Sequence, residues 1–250
     1  IKKGANIKDK NNLGWDAFTV ACRNKDTLIA QLLLDNGADI NTTDSEGIPI
    51  LSWACAQGQT NRDIKLVNFL LENGADMYKQ DNEGYHPFVR ACRYEKIVEL
   101  FLNKNPDIIN SQSKNKSTCL TRASQEKKIE VIKLLVERGA DINQKGFADY
   151  TAIYWSCGQN GNIDIVKYLL EKGADVNVQG YNGYNPLHHA SYFGQKDIVK
   201  LLLEQPGIKV DIETTDEGKY TAILLATIKR EQIRQETGEE TGGEIYSEII

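Results

Sequence analysis

Three histidines, His86, His188 and His189, are the side chains of this 250-residue chain that could act as acid–base groups near neutral pH. A catalytic histidine needs a nucleophile or an orienting carboxylate within hydrogen-bond distance. The sequence does not place such partners around any of the three. We therefore expect no enzyme activity and assign no catalytic residue.

Cysteines and paired acids are the other candidates for chemistry. No Cys or His pair has the spacing of zinc ligands. The acidic pairs Asp216-Glu217 and Glu239-Glu240 lie in a turn and in a tail, where solvated charge is the simpler interpretation. The sequence also has no Gly-rich phosphate loop and no nucleophile elbow. We expect no metal site and no cofactor.

A repeat supplies the elements that position these residues. A glycine that ends an apolar run recurs at regular spacing, with Asn105 in one vacant place, at Gly4, Gly37, Gly74, Gly139, Gly173 and Gly207. The intervals are 33, 37, 31, 34, 34 and 34 residues. A glycine at this place predicts a left-handed helix C-terminus. A period near ~33 residues indicates a helical repeat array.

A second signature keeps the same register, with an apolar third residue and a small sixth residue. It covers residues 16–21, 49–54, 86–91, 118–123, 151–156, 185–190 and 221–226. Small residues suit places where helix axes pack only ~8–10 Å apart. An amphipathic segment such as residues 165–170 follows each copy and predicts a second helix.

The stretch 173–190, GADVNVQGYNGYNPLHHA, carries both signatures and resembles the ankyrin repeat. Residues 173–177 match the Gly-Ala-Asp-Val-Asn close of one unit, and residues 185–190 match the Thr-Pro-Leu-His-x-Ala opening of the next, with Asn for Thr. The resemblance implies an all-α solenoid of helix-turn-helix units joined by β-hairpin loops, with about six repeats and partial end repeats. It also implies that His188 bonds to backbone between repeats.

The period places the units at about 9–41, 42–78, 79–110, 111–143, 144–177 and 178–211, with a partial unit at 212–230. These form one repeat array over residues 1–230, and residues 231–250 form an acidic C-terminal tail. Four extra residues within 57–63 predict a longer loop between the helices of the second unit. Two residues are missing between Ala91 and Ile97, and Pro106 predicts a helix stop.

The cysteines fit the interior of such an array. Cys22, Cys55, Cys92 and Cys157 occupy one helical position in four units, and Cys119 stands at the proline position of another. Equivalent positions in adjacent units are ~8–10 Å apart, beyond the ~7 Å reach of a disulfide. We expect buried free thiols.

Charge and hydropathy restrict the partner class. The formal net charge is −5, but residues 231–250 hold six Glu and one Arg, so 29 acidic and 29 basic residues remain in 1–230. A neutral array argues against nucleic-acid binding.

We find no secretory signal and no apolar run that could span a bilayer, and we expect a soluble cytoplasmic, intracellular protein without membrane insertion. Because Ile1 starts inside a second helix, we expect a longer protein upstream.

The resemblance implies that partners meet the inner helices and hairpin tips, which line a concave face. Large side chains at those positions are the candidate protein-binding residues: Trp15, Tyr85, Arg93, Tyr94, Phe147, Tyr150, Tyr181, Tyr184, Tyr192 and Phe193. Tyr and Trp beside Arg often anchor protein interfaces. Tyr85, Tyr150 and Tyr184 recur at one register, so a packing role between hairpins is the alternative for them. Tyr94, Tyr181, Tyr192 and Phe193 do not share that register.

The sequence thus favours a noncatalytic scaffold that binds a protein or peptide ligand. The alternative is a regulatory or targeting ankyrin segment of a larger enzyme or channel, which the sequence does not separate from the first. The apolar, acidic segment 245–250 predicts that the tail occupies a groove of its own chain or of a neighbouring copy, giving self-association in the second case. Ordinary disorder of the tail is the alternative.

Overall fold

A computed structural model of the chain describes residues 6–216 and 218–237. In this part of the chain the regular structure is helical, and an isolated bridge between Thr43 and Pro49 takes the place of strands. The chain divides into two compact units, Ile1–Cys119 and Leu120–Ile250.

In the first unit the described residues form three helix pairs. Its helices are α1 Ala17–Arg23, α2 Thr27–Leu34, α3 Ile50–Gln57, α4 Asn61–Glu72, α5 Pro87–Arg90 and α6 Glu95–Lys104. Helix α5 continues as a 3-10 turn, Ala91–Arg93, and a second 3-10 turn, Pro106–Asn110, follows α6. The inner helices α1, α3 and α5 pack in order, and α2 and α4 pack behind α1 and α3.

The second unit repeats this arrangement. Its helices are α7 Cys119–Gln125, α8 Ile129–Glu137, α9 Ala152–Ser156, α10 Ile163–Glu171, α11 Pro186–Tyr192, α12 Lys196–Leu203 and α13 Ala222–Thr237. Short 3-10 turns, Phe147–Asp149 and Tyr181–Gly183, lie at two loop tips. Helix α11 packs between α9 and α13, with α12 behind it.

The helices begin where the signature predicts. Pro186 is the first residue of α11, where its missing N–H leaves no hydrogen bond unmade. The side chain of Asn185 accepts from the backbone N–H of His188 at 2.9 Å and closes the N-terminus. In the first unit Asp16 does the same for Thr19 at 2.8 Å. Such caps stabilise a helix by about 1 kcal/mol each.

The core lies between the inner and outer helices. The small sixth residue of each signature copy is buried, as predicted: Ala21, Ala54, Ala91, Ala123, Ser156, Ala190 and Ala226. Beside these positions large side chains are fully enclosed, among them Phe88 and Phe101, whose rings are 5.6 Å apart. Burial of each such side chain contributes roughly 1.5–3 kcal/mol. The short inner helices are therefore held by packing between repeats.

One backbone hydrogen bond closes nearly every loop. The residue just before the signature accepts from the N–H four residues earlier, as in Asn11 to Trp15, Asp81 to Tyr85 and Gly180 to Tyr184, at 2.9–3.0 Å. Neighbouring tips are also joined, since the Thr215 N–H donates to the Asn182 carbonyl at 2.8 Å. The loops thus have hairpin connections without extended strands.

The predicted long loop in the second repeat is wrong. Only Gly58, Gln59 and Thr60 separate α3 from α4, as in the first repeat, and the four extra residues lengthen α4 to 12 residues. Thr60 and Asp63 form a reciprocal capping box, which starts the helix one turn early. Asp63 is buried and pairs with Lys25 of the preceding repeat at 2.5 Å.

Two other expectations are confirmed. His188 is buried, and its Nε2 lies 3.1 Å from the Tyr220 carbonyl of the next repeat. A carbonyl can only accept, so Nε2 carries the proton. All five cysteines are buried free thiols. Burial raises the pKa of the Cys55 and Cys119 thiols well above the ordinary value.

The C-terminal region is described in part. Helix α13 reaches Thr237, so residues 231–237 of the segment assigned to the tail are helical. Residues 1–5, Glu217 and residues 238–250 lie outside the described residues, and the prediction for the tail falls on the last of these. Each proposed unit from 9–41 to 178–211 contains one helix pair, but the exact boundaries stay predictions. Among the described helices, none combines the length and apolarity that a membrane span requires.

Candidate protein-binding surfaces

A cavity lined by aromatic side chains opens on the inner helices of the second unit. Its volume is about 350 Å³, and its lining residues are Tyr150, Tyr154, Tyr184, His189, Tyr192 and Phe193. We call it the aromatic cavity. Its walls come from the inner helices α9 and α11, from Tyr150 and Tyr184 just before them, and from Phe193 just after α11. Its size is at the lower end of ligand pockets, which span ~300–1,000 Å³.

Ring stacking fixes one wall of the aromatic cavity. Tyr154 lies between Tyr150 and His189, with ring centroids 3.7 and 4.1 Å away and all planes within 5°. Trp155 meets this stack edge-on, 5.7 Å from Tyr154. Phe193 stands at 77° to His189, with centroids 5.0 Å apart. Aromatic pairs contribute about 0.5–1.5 kcal/mol beyond area burial, so the wall is preorganised.

Two glycines allow this close approach. A Cβ at Gly158 would lie 2.3 Å from Cε1 of His189, and a Cβ at Gly180 would lie 2.1 Å from Cδ1 of Tyr150. Real Cβ contacts are not this short. The absence of side chains at both positions lets the rings of the wall lie against the backbone.

The lining residues carry no formal charge at neutral pH. Burial and the Asp216 carboxylate raise the pKa of Tyr184 to about 12, and burial also raises the pKa of Tyr154. Burial, together with the cationic Lys127, lowers the pKa of His189 to about 4. The Nδ1–H of His189 donates to the Tyr154 carbonyl at 2.9 Å, so the single proton of the neutral ring is on Nδ1.

Four of the predicted binding residues, Tyr150, Tyr184, Tyr192 and Phe193, meet around this cavity. The other two candidates of the second unit, Phe147 and Tyr181, lie at loop tips and are 53% and 64% exposed. The Tyr150 hydroxyl donates to the Tyr181 carbonyl at 3.2 Å, so Tyr150 also has the packing role considered as the alternative. Packing and cavity lining coexist in this residue.

In the first unit the candidate Trp15 belongs to a cation–π sandwich. The Arg23 guanidinium carbon lies 4.0 Å from the ring centroid of Trp15 and 4.6 Å from that of Trp53. All three side chains are half-buried. An arginine held between two rings is stabilised by roughly 0.5–2 kcal/mol per contact, which holds these side chains in one arrangement.

Tyr85 has a similar neighbour. Arg90 lies over its ring at 4.6 Å, and the same guanidinium pairs with Asp81 at 2.8 Å and Glu83 at 3.0 Å. Asp81 is buried, so this ion pair is shielded from solvent on one side. Tyr85 is therefore held by charged groups of its own repeat, which supports a packing role.

Arg93 and Tyr94 differ in exposure. Arg93 is exposed, whereas Tyr94 is half-buried. The Tyr94 hydroxyl donates to the Ala56 carbonyl at 3.3 Å, and its ring lies where a Cβ of Gly58 would be, 2.4 Å from Cδ2. Tyr94 therefore has a packing contact that its register does not indicate. Its contact with a partner stays a prediction.

A serine and a histidine in the first unit lie as close together as in a catalytic pair, but they share no other feature with one. Ser111 Oγ lies 3.2 Å from Nε2 of His86, but His86 is 1% exposed. Its Nδ1 has no hydrogen-bond partner, so the carboxylate that would orient a catalytic base is missing. In the described part of the chain no group of His, Cys, Asp and Glu side chains could hold a metal ion.

Sequence reasoning missed three members of the aromatic surfaces, Trp53, Trp155 and His189. All three occupy the fifth position of the signature copies 49–54, 151–156 and 185–190. Side chains at this position reach a neighbouring repeat, as Trp155 and His189 do with ring centroids 6.3 Å apart. Recurrence of large residues at the fifth position was the signal that could have identified them.

Comparison with protein families identifies the repeat. A model described as "Ankyrin repeats (3 copies)" matches residues 51–146 and 145–216, and a model described as "Ankyrin repeat" matches residues 13–45. The chain belongs to the ankyrin repeat family. The ankyrin repeat generally mediates protein–protein interaction, and domains built from it are typically noncatalytic scaffolds.

The array is similar to a solved ankyrin repeat domain and to part of a much longer protein. The ankyrin array is similar to the ankyrin repeat domain of Bcl-3, described as "a unique member of the IkappaB protein family", with a TM-score of 0.70 and 22% identity over 86% of this chain and 95% of that one. At this identity the likeness shows the fold. The array is also 26% identical to Alpha-latrocrustotoxin-Lt1a of Latrodectus tredecimguttatus over 142 residues, which are 56% of this chain and 7% of that protein.

Proposed function

We propose that this ankyrin array is a noncatalytic module that binds a protein or peptide partner through its inner helices and loop tips, which form the concave face in the family. The aromatic cavity is the observation that carries the proposal. It is open and uncharged, and its stacked wall is in place before a ligand arrives. Preorganised aromatic pockets bury large area at small entropy cost, as interface hot spots do.

The loop tips extend the same proposed surface. Phe147 and Tyr181 expose their rings beside the cavity-lining residues in sequence, and Arg93 is exposed on the first unit. An apolar centre with exposed aromatics and charges at its margin has the composition of a protein interface. We propose an intracellular setting for the binding event, because five buried free thiols suit a reducing compartment.

A displayed peptide library, selected on the immobilised chain, tests the proposal. Binding of selected ligands to Tyr192→Ala and Phe193→Ala should weaken by about 30-fold, which corresponds to about 2 kcal/mol. Tyr168→Ala is the matched control, because it removes a tyrosine ring from the outer helix α10 of the same unit. It should leave the dissociation constant unchanged.

Titration calorimetry would give the dissociation constants, and circular dichroism would verify that each variant is folded. Tyr94→Ala reports separately on the first unit. If Tyr192→Ala and Phe193→Ala bind every selected ligand as the unaltered chain does, the aromatic cavity is not the binding surface.

A further inference from the structure

Charges beside the aromatic cavity restrict the side chain that it can accept. Lys229 of α13 lies 5.4 Å from the ring centroid of Tyr192. Lys127 lies close enough to His189 to disfavour a positive charge there, while its amino group donates to the Gln159 carbonyl. The carboxylate of Asp216 is engaged by the hydroxyls of Thr214 and Tyr184.

These neighbours distinguish two kinds of guest. Aromatic walls attract both cations and apolar rings. A cationic guest would meet the lysines Lys127 and Lys229, whereas the neighbouring carboxylate Asp216 already has two donors. An uncharged aromatic or apolar side chain fits the lining of the cavity. If an acidic residue flanks it on each side, the two carboxylates can pair with the two lysines.

The chain itself contains such a sequence. In the segment Glu244–Ile250, which lies outside the described residues, Tyr246 stands between Glu244 and Glu248, with three isoleucines beside them. Its one aromatic side chain matches a cavity at the lower end of ligand-pocket volumes.

The distance along the chain allows the segment to reach the cavity. Helix α13 packs against α11 and ends at Thr237, eight residues after Lys229. Eight helical residues advance about 12 Å, because the rise is ~1.5 Å per residue. The nine residues from Thr237 to Tyr246 span up to about 30 Å when extended. The tether therefore exceeds the separation along the helix by more than twofold.

We propose that the segment Glu244–Ile250 docks on its own chain, with Tyr246 in the aromatic cavity and Glu244 and Glu248 beside Lys127 and Lys229. This inference rests on the proposed function, since it uses the same cavity. A partner with a similar motif then has to displace the segment. The ankyrin array thus carries an internal competitor for its binding surface.

The tether determines how much the docked segment weakens the binding of another ligand. A short flexible linker gives an effective concentration on the order of 1 mM. If the free segment binds with a dissociation constant of about 100 µM, the tethered segment occupies the cavity about nine-tenths of the time. An added copy of the segment then binds about 10-fold more weakly than it would to an empty cavity.

The test uses a fluorescein-labelled peptide of residues 243–250 with an amidated end. Its binding is measured by fluorescence anisotropy on the full chain and on the full chain carrying Tyr246→Ala. The peptide should bind about 10-fold tighter to the Tyr246→Ala chain. Adding Phe193→Ala to that chain should abolish binding, while adding Tyr168→Ala, which alters the outer helix α10, should not.

Peptide variants check the chemistry of the guest. A Tyr246→Ala peptide should bind at least 10-fold more weakly, and a Tyr246→Lys peptide should not bind. Equal or tighter binding of the lysine peptide would overturn the argument from charge. Equal affinity of the unaltered peptide for both chains would overturn docking of the segment.

Two further outcomes separate this inference from the proposed function. If library-selected ligands bind through the aromatic cavity but the segment peptide does not, the inference fails and the proposed function stands. If neither binds, both fail. Sedimentation analysis should show a mass that is independent of concentration. A mass that rises with concentration and falls with Tyr246→Ala would place the segment on a second copy and overturn docking on its own chain.

Discussion

Protonation of His86 should couple the stability of the first unit to pH. His86 is 1% exposed and stacks at 3° to Phe88, with centroids 6.5 Å apart. Burial lowers the pKa of His86 from the ordinary 6.5 to about 4, although hydrogen bonding to Ser111 and the charge of Asp81 oppose this change. The neutral ring is therefore the form that the fold accommodates.

The sign follows from proton binding in the two states. Between pH 6.5 and pH 4 the unfolded chain protonates His86 and the folded chain does not, so stability falls as pH falls. The contribution is fully present above pH 6.5. From pH 7 to pH 5 the free energy of unfolding should drop by about 2 kcal/mol, and the loss should approach about 3 kcal/mol below pH 4.

Urea unfolding of the chain and of His86→Gln, followed by tryptophan fluorescence at pH 7 and pH 5, measures this effect. Glutamine does not titrate, so the drop between the two pH values should be smaller by about 2 kcal/mol in the variant. Phe88→Leu is the matched control, because it perturbs the neighbouring ring and should keep the pH dependence of the unaltered chain. The reasoning is refuted if His86→Gln shows the same drop, or if NMR finds His86 titrating near pH 6.5 in the folded protein.

Two further outcomes are expected. Gly158→Ala should destabilise the second unit by about 1–3 kcal/mol in thermal unfolding, because its Cβ would displace the ring of His189; a melting temperature unchanged within error would mean that the ring can move without cost. Hydrogen exchange should be faster for the amides of residues 88–93 than for those of α11, since α5 has only four residues before it becomes a 3-10 turn. Equal protection of these two inner helices would contradict the second expectation.

The fold could be predicted because its causes are local. The glycine that ends the outer helix has a positive φ at Gly37, Gly74, Gly139 and Gly173, all between 85° and 90°. Lys116, which stands where most loops have glycine, adopts the same left-handed region at 64°. Asn105, which replaces the glycine after α6, is instead extended at a φ of −149°, because the residue before a proline is pushed out of the helical region. The left-handed conformation therefore persists at the replaced loop position and is lost at the replaced helix end.

The candidate surface was predicted less completely because it depends on contacts between repeats. Tyr150 and Tyr184 were predicted from their positions at the loop tips and inner helices, and they do line the aromatic cavity, although their shared register favoured a packing role. His189 was not among the predicted binding residues, yet it stacks on Tyr154 from the preceding repeat. A pairing of this kind joins residues 35 positions apart, and it depends on Gly158 leaving room. Single-repeat patterns do not contain that information.

The two length changes in the first unit have opposite structural results, and the helical period explains both. Each residue turns an α-helix by about 100°, so four extra residues at the start of α4 rotate its faces by only about 40° from register. The apolar side still meets the core, and the insertion becomes a longer helix. Removal of two residues in the third repeat would rotate a helix by about 200° and bury its polar side. The chain there shortens its inner helix and joins it to α6 through Tyr94 alone. The structural result of a length change in such an array therefore depends on the helical period. A change of one helical turn alters the length of a helix, and a change of half a turn alters the connection between helices.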